Sequence, residues 1–122
     1  SNEEVVKISE LAIKHDMYLH MDGARISNAA EYLCTNLNEI TTDLGVDILS
    51  FGGTKNGMAF GEAIVFMDKR VGERFKYQRK AGMQLHSKMK FISAQFEAYL
   101  TDELWRENAE IANDMEKVLR IQ

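Results

Sequence analysis

Apolar side chains recur every three or four residues near both ends of the chain, a spacing typical of amphipathic helices. The first stretch covers residues 3–15, where Asn2 is expected to cap the helix start, and its inward face is predicted to comprise Val5, Ile8, Leu11 and Ala12. Helices are also predicted over residues 69–80 and 88–101. The last helix is predicted over residues 103–121, with an apolar face of Trp105, Ala109, Ala112, Met115 and Leu119.

Alternation of apolar and polar positions replaces this spacing in the middle of the chain and predicts strands. Strands are expected over residues 17–22, 46–51 and 61–67, with a glycine-rich turn at 52–57 after the second. A helix is predicted over about 25–34, with Ile26, Ala29, Ala30 and Leu33 inward, and a shorter helical segment over 38–44. This order of elements is typical of an α/β fold. We therefore predict a mostly parallel sheet with flanking helices and a helical C-terminal part.

Length and composition indicate one globular domain. The chain has 122 residues, of which 45% are apolar and 28% charged, and its net charge is −4. This acidic balance gives no reason to expect nucleic-acid binding. A run of about 20 apolar residues and a signal peptide are both missing from the sequence, so we expect no membrane association. The single cysteine, Cys34, cannot form an internal disulfide and is expected to be a small buried residue of a cytoplasmic protein.

Two features predict that the chain is part of a larger domain. It contains no proline, and it begins Ser1-Asn2 without a methionine. Average proline usage of about 5% would give roughly six in a chain of this length. We therefore expect residues 1–122 to form a single partial domain.

Asp22 and Lys55 directly follow, or end, two consecutive predicted strands. Ligands of α/β sheets bind beyond the carboxyl ends of the strands, so both residues lie where a site is expected. Taken alone, an Asp before Gly is usually a turn residue, and a Lys in a glycine-rich loop is usually solvated. The segment Gly52-Gly53-Thr54-Lys55-Asn56 also fails the phosphate-loop pattern, which requires Gly before the lysine and Ser or Thr after it.

Taken together, His20-Met21-Asp22-Gly23-Ala24-Arg25 and Ser50-Phe51-Gly52-Gly53-Thr54-Lys55-Asn56-Gly57 resemble a known family. They are similar to the low-specificity L-threonine aldolases, within the aromatic amino-acid beta-eliminating lyases of the aspartate-aminotransferase fold. The resemblance continues through residues 61–66 and 79–80. It implies the central part of a large α/β/α domain of fold type I that binds pyridoxal phosphate. The upstream part and the small C-terminal domain of the family would then lie outside this chain.

The resemblance implies a role for each matching residue. Lys55 would form the Schiff base with the cofactor, and Asp22 would bond the pyridine nitrogen. Arg25 would reach the phenolic oxygen of the cofactor or the carboxylate of the substrate. Ser50 and Thr54 would donate to the phosphate, although a role in the turn is equally open. His20 would support Asp22, or would be a hydrogen-bonded core histidine. The implied site contains no metal.

One stretch departs from the family pattern. Many threonine aldolases have G-G-G-M-R-Q after the lysine, where the arginine anchors an anionic group. Here Ser87 takes the place of that arginine, with Lys88 beside it. Lys88 could replace arginine as a point charge but not as a bidentate fork, which suggests a divergent branch of the family.

The expected reaction of the parent protein is the cleavage of a β-hydroxy-α-amino acid, such as threonine, to glycine and an aldehyde. A β-eliminating lyase or an aminotransferase remains open, because Asp22 and Lys55 would serve all three. A non-enzymatic α/β interaction module is a further alternative. We expect the isolated chain to be inactive, because it lacks a convincing base. We also expect it to form a homo-oligomer, because a truncated sheet exposes edges and apolar faces.

Overall fold

The computed structural model describes residues 1–120. The chain begins with helix α1, Asn2–Lys14. Its cap is Ser1 rather than Asn2, because the Ser1 hydroxyl accepts from the backbone N–H of Glu4 at 3.4 Å while the Glu4 carboxylate accepts from the Ser1 nitrogen. This reciprocal pair is a capping box, and it makes Asn2 the first helical residue.

Three strands form one sheet in the order β1 (His20–Gly23), β2 (Ile48–Gly52) and β3 (Glu62–Phe66). Strands β1 and β2 are parallel, as predicted, whereas β2 and β3 are antiparallel. The expectation of a mostly parallel sheet is therefore wrong for the second pair. Only residues 53–61 connect β2 to β3, and a parallel pairing needs a longer crossover of a dozen residues or more.

The strands are displaced from their predicted ranges. The first begins at His20 rather than at residue 17, and Met17 and Tyr18 are exposed. Hydrogen bonds between Leu19 and Asp47 still join the two segments just before β1 and β2 begin. The Leu19 N–H donates to the Asp47 carboxylate at 2.8 Å, and the Asp47 N–H donates to the Leu19 carbonyl at 2.9 Å. These bonds fix where the parallel pairing begins.

The remaining helices lie where the apolar spacing predicts them, with different bounds. They are α2 (Ile26–Tyr32), α3 (Lys69–Gly72), α4 (Phe75–Ala81), α5 (Met89–Leu100) and α6 (Leu104–Arg120). The predicted short helix at 38–44 consists of two 3₁₀ turns, Asn38–Ile40 and Thr42–Leu44. The predicted helix 69–80 is divided into α3 and α4. Position 121 of the predicted last helix lies outside the described residues.

The core lies on one face of the sheet. Leu49 and Phe51 of β2 point into it, and they pack with residues from α2, α5 and α6, namely Ile26, Ala30, Tyr99 and Trp105. Because side chains alternate along a strand, Ser50 and its neighbour Asp22 lie on the opposite face. The mixed α/β class predicted from the sequence is confirmed.

Many apolar side chains remain uncovered. Ile8 and Leu11 of α1 are each 53% exposed, although both were expected to point inward. Helix α6 is buried at Trp105 and Ala109 only, and beyond them its apolar face is open at Ile111, Met115, Val118 and Leu119. Cys34 is exposed in a left-handed conformation (φ 52°) after α2, so the prediction of a buried cysteine is wrong. Within residues 1–120, no helix has the length and apolar character needed to cross a membrane.

Candidate cofactor site

Asp22 and Ser50 lie side by side at the carboxyl edge of the parallel pair. The register places Asp22 of β1 opposite Ser50 of β2, and each strand ends one or two residues later, at Gly23 and Gly52. Parallel strands bring their carboxyl ends to the same edge of a sheet. The structure therefore places two of the predicted residues together, as the sequence pattern indicates.

Asp22 is exposed and only partly engaged by the protein. Its Oδ1 accepts from the backbone N–H of Ala24 at 3.0 Å, which orients the carboxylate in a tight turn. Among the hydrogen bonds of residues 1–120, Oδ2 has no partner. A carboxylate that is held by one oxygen and open at the other can accept a proton or a hydrogen bond from a ligand.

His20 and Ser50 form a polar pair on the same sheet face as Asp22. The His20 Nε2 lies 2.8 Å from the Ser50 Oγ. His20 is exposed, so the reading of a core histidine is wrong. Its hydrogen-bond partner is Ser50 rather than Asp22, and it therefore fixes the neighbour of the aspartate instead of bonding the aspartate itself.

Lys55 is exposed at the centre of a 3₁₀ turn, Thr54–Asn56, called the lysine turn below. The Thr54 hydroxyl donates to the Gly61 carbonyl at 3.1 Å and ties the turn to the chain that enters β3. Gly57 ends the turn in a left-handed conformation, with φ of 108°. This conformation favours glycine, which explains the residue at that position.

Close backbone packing joins the end of β2, before the lysine turn, to the residue that follows β1. An added Cβ on Gly52 would lie 2.7 Å from the Ala24 Cα and 2.9 Å from the Ala24 carbonyl oxygen. Only a residue without a side chain fits that space. Gly52 therefore holds the end of β2 against Ala24, the residue that follows β1. Asp22 lies two residues before Ala24, and Lys55 lies three residues after Gly52.

The three other predicted residues lie around this edge without a side-chain bond to it among residues 1–120. Arg25 is exposed at the cap position of α2, where its side chain makes no capping bond. Ser87 and Lys88 are exposed in the loop before α5. That loop lies near the segment after the lysine turn, because the rings of His86 and Phe60 are 6.0 Å apart.

A model of the family described as beta-eliminating lyase matches residues 1–119. The chain belongs to the beta-eliminating lyase family. Over 117 residues, or 96% of the chain, it is 44% identical to the low specificity L-threonine aldolases of Pseudomonas sp. (strain NCIMB 10558) and Pseudomonas aeruginosa. The chain spans 34% of the length of each of these curated relatives. The resemblance inferred from the sequence is confirmed.

In this member of the beta-eliminating lyase family, two polar side chains near the site were not predicted. Asn56 follows Lys55 and is only 5% exposed, with its side chain bonded to α5 and α6. Arg79 of α4 lines a groove of about 730 Å³ beside β3, and its Nε is buried without a hydrogen-bond partner among residues 1–120. Both residues lie in segments that carry the family resemblance. Their surroundings could not be predicted, because the groups around each come from distant parts of the chain.

The donor set at the edge is one of hydroxyl, carboxylate, imidazole and amine groups. In residues 1–120, His, Cys, Asp and Glu side chains are nowhere grouped in threes that could hold a metal ion.

Proposed function

We propose that this chain carries the cofactor edge of a pyridoxal-phosphate lyase that cleaves β-hydroxy-α-amino acids. L-threonine and L-allo-threonine are the proposed substrates, and glycine and acetaldehyde the products. The observation that carries the proposal is the placement of two exposed residues at adjacent strand ends. Asp22 lies near the end of β1 and Lys55 lies just after β2, and Gly52 and Ala24 pack these ends together. Family membership and 44% identity to low specificity L-threonine aldolases support it.

The donor set fits pyridoxal phosphate. An amine is needed for covalent attachment, and a carboxylate is needed to hold the proton on the ring nitrogen. Lys55 and Asp22 offer these groups, both exposed, at one sheet edge. When bound, the cofactor supplies a sink for the electron pair that bond cleavage leaves on the substrate. Asp22 favours this chemistry by keeping a positive charge on the ring.

The remaining residues are proposed to orient the ligands. Arg25 is free to bind an anionic oxygen of the cofactor or the substrate carboxylate. The Ser50 hydroxyl can donate to the phosphate when His20 donates its own proton to Oγ. The Thr54 proton is given to the Gly61 carbonyl, so Thr54 would bind phosphate only by exchanging that partner. Ser87 and Lys88 are proposed as a second anionic anchor, from the loop beside Phe60.

We also propose that residues 1–122 are the central part of a fold type I domain in a cytoplasmic homo-oligomer. The uncovered apolar residues of α1 and α6 support this, because soluble monomers rarely expose contiguous apolar patches of more than a few hundred Å². We expect the purified chain to self-associate as its concentration rises, as measured by light scattering. A constant monomer mass at high concentration would contradict the homo-oligomer.

Two alternatives remain open. β-Elimination and amino transfer would use Asp22 and Lys55 in the same way, and the similarity to threonine aldolases favours carbon–carbon cleavage. A non-enzymatic interaction module would have no use for either residue. In that case Lys55→Ala would leave every ligand-binding property of the protein unchanged.

Borohydride trapping tests the proposal directly. The protein is incubated with pyridoxal phosphate and reduced, and the adduct is located by peptide mass. We expect a stoichiometric adduct on Lys55 that disappears in Lys55→Ala. The matched control is Lys7→Ala, which removes an exposed lysine of α1 and should leave the adduct intact. An adduct scattered over many lysines would overturn the assignment of Lys55.

An activity assay separates attachment from turnover. The complete protein that carries this chain is expected to release acetaldehyde from L-threonine, whereas the 122-residue chain alone is expected to release none. Aldolase turnover by the isolated chain would show that the residues described here suffice for catalysis.

A further inference from the structure

Asn56, the residue directly after Lys55, is anchored in the core by its side chain. Its Nδ2 lies 2.6 Å from the Tyr99 Oη and 2.8 Å from the Trp105 carbonyl oxygen. A carbonyl oxygen can only accept a hydrogen bond, so the group that faces Trp105 must be the NH₂ of the amide. Both protons of that group are therefore used inside the protein.

The network continues from Tyr99 to α2. The Tyr99 Oη lies 2.7 Å from the Ser27 Oγ, and these two residues are 2% and 0% exposed. Tyr99 accepts from Asn56, so donating its own proton to Ser27 satisfies the phenol at both positions. The chain of bonds from Asn56 through Tyr99 to Ser27 is shielded from water along its length.

The main chain of Asn56 is held as well. Its carbonyl accepts from the Asn108 Nδ2 at 3.0 Å, and an added Cβ on Gly57 would meet that same nitrogen at 2.5 Å. Helices α2, α5 and α6 thus all bond to the residue that follows Lys55, directly or through Tyr99. A turn of three residues at a sheet edge would otherwise be mobile.

Burying the NH₂ group of this amide is favourable only because both of its protons are bonded, since a buried donor without partners costs free energy. An apolar side chain would fill the same space without needing two specific partners. The polar network adds direction, because the two amide protons fix the rotation of Asn56 and hence the backbone of the lysine turn. Thr54 fixes the other side of Lys55 through Gly61.

We propose that Asn56 and Tyr99 are positioning residues, which hold the backbone of Lys55 so that its amine meets the cofactor in one orientation. This inference rests on the proposed function, because it assigns the network a task only if Lys55 binds the cofactor. It predicts that loosening the network slows covalent attachment at Lys55 while the amine itself remains in place.

The test uses the complete protein that carries this chain. Tyr99→Phe removes the hydroxyl and keeps the ring, which packs 6.0 Å from the ring of Phe51. Ser27→Ala removes the bond from Ser27 to Tyr99 and can affect Lys55 only through Tyr99. It replaces Tyr99→Phe as the test variant if Tyr99→Phe does not fold. The control is Tyr77→Phe, the same change at a residue 65% exposed on α4. For each variant we measure the rate of adduct formation on Lys55, the pH profile of cofactor absorbance and the melting temperature without cofactor.

We expect Tyr99→Phe to slow attachment roughly 3- to 10-fold, which is the range of one neutral hydrogen bond, and to displace the pH profile. Tyr77→Phe should match the unsubstituted protein. A Tyr99→Phe variant that loses thermal stability but keeps the original attachment rate and pH profile would show a merely structural role, and would overturn the proposal. If the unsubstituted protein forms no adduct on Lys55, the proposed function itself fails, and the positioning role fails with it.

Discussion

The backbone of Gly52 lies so close to Ala24 that a Cβ on Gly52 would be 2.7 Å from the Ala24 Cα. The three nearest atoms at this contact all belong to the main chain of Ala24, and they cannot move aside as the end of a flexible side chain can. The contact therefore fixes the separation between the end of β2, which leads to Lys55, and the end of β1, which carries Asp22. It links the packing of two short loops to the geometry of the proposed site.

Gly52→Ala tests this contact. The added methyl group must push the two strand ends apart, and overpacking of this kind typically costs about 1–3 kcal/mol of unfolding free energy. We expect a lower urea midpoint and weaker cofactor attachment at Lys55. Gly82→Ala is the matched control, because its Cβ would meet the nearest atom, the Gln78 carbonyl oxygen, at 3.3 Å. Equal midpoints for the two variants would contradict a tight contact at Gly52.

Asp22→Asn tests whether Asp22 acts in catalysis without being needed for attachment of the cofactor to Lys55. The Asn side chain can still accept from the Ala24 N–H, but it carries no charge to hold a proton on the ring nitrogen of the cofactor. We expect the adduct on Lys55 to persist while kcat of the complete protein falls by a factor on the order of 100 or more. Asp16→Asn, the same change at an exposed residue after α1, should have no effect on kcat. An unchanged kcat in Asp22→Asn would remove Asp22 from the mechanism.

Cys34→Gly should stabilise the protein. Cys34 has a φ of 52°, and a residue with a Cβ in this left-handed region costs about 1–2 kcal/mol. Glycine removes that cost, but its greater freedom in the unfolded chain offsets part of the gain. We therefore expect the unfolding free energy of Cys34→Gly to exceed that of Cys34→Ala by about 0.5–1 kcal/mol. The Ala variant keeps the Cβ and controls for loss of the thiol. Equal stabilities would contradict the conformational cost.

The pair of Asp68 and Arg70 predicts a local pH dependence. Hydrogen bonds from the side chain and the backbone of Arg70 hold the pKa of Asp68 below its ordinary value. Because this pKa is lower in the folded chain, the pair favours folding above the ordinary carboxyl pKa. That contribution disappears as the pH falls through the lowered pKa.

Arg70→Ala should raise the pKa of Asp68 toward its ordinary value, as followed by NMR titration of its carboxyl carbon. The backbone N–H of residue 70 remains, so part of the lowering should persist. Lys69→Ala removes the neighbouring charge and should leave the pKa of Asp68 nearly unchanged. An unaltered titration curve in Arg70→Ala would show that the guanidinium does not set this pKa.

The sequence was sufficient to predict the features that depend on local pattern. Alternation and the following glycines placed Asp22 and Lys55 at strand ends, and the three-and-four spacing identified Trp105 and Ala109 as buried residues of α6. The direction of β3 was not predictable from alternation, because a strand of either direction has the same period. It follows instead from the short connection after Gly52.

Hydrogen bonds between residues far apart in the sequence could not be predicted. Asn56 lies in a glycine-rich segment and resembles an ordinary turn residue, yet its partner Tyr99 is 43 positions away. The capping box of Ser1 and Glu4 is a local pattern within the first four residues, and the prediction of Asn2 as the cap missed it. Cys34 was misplaced because the end of α2 was expected two residues later than it occurs.

The two strand pairings of the sheet differ in the length of the segment that connects their strands. Strand β3 returns to β2 after residues 53–61, whereas β1 and β2 are separated by residues 24–47. Loop-closure entropy makes the longer closure less favourable by about 0.9 kcal/mol, and non-local pairings form more slowly. During folding, the hairpin that contains Lys55 should therefore form before β1 docks beside it. Asp22 comes to lie beside Ser50 only in that later step. A chain arrested between the two steps would therefore have formed the lysine turn without Asp22 beside β2.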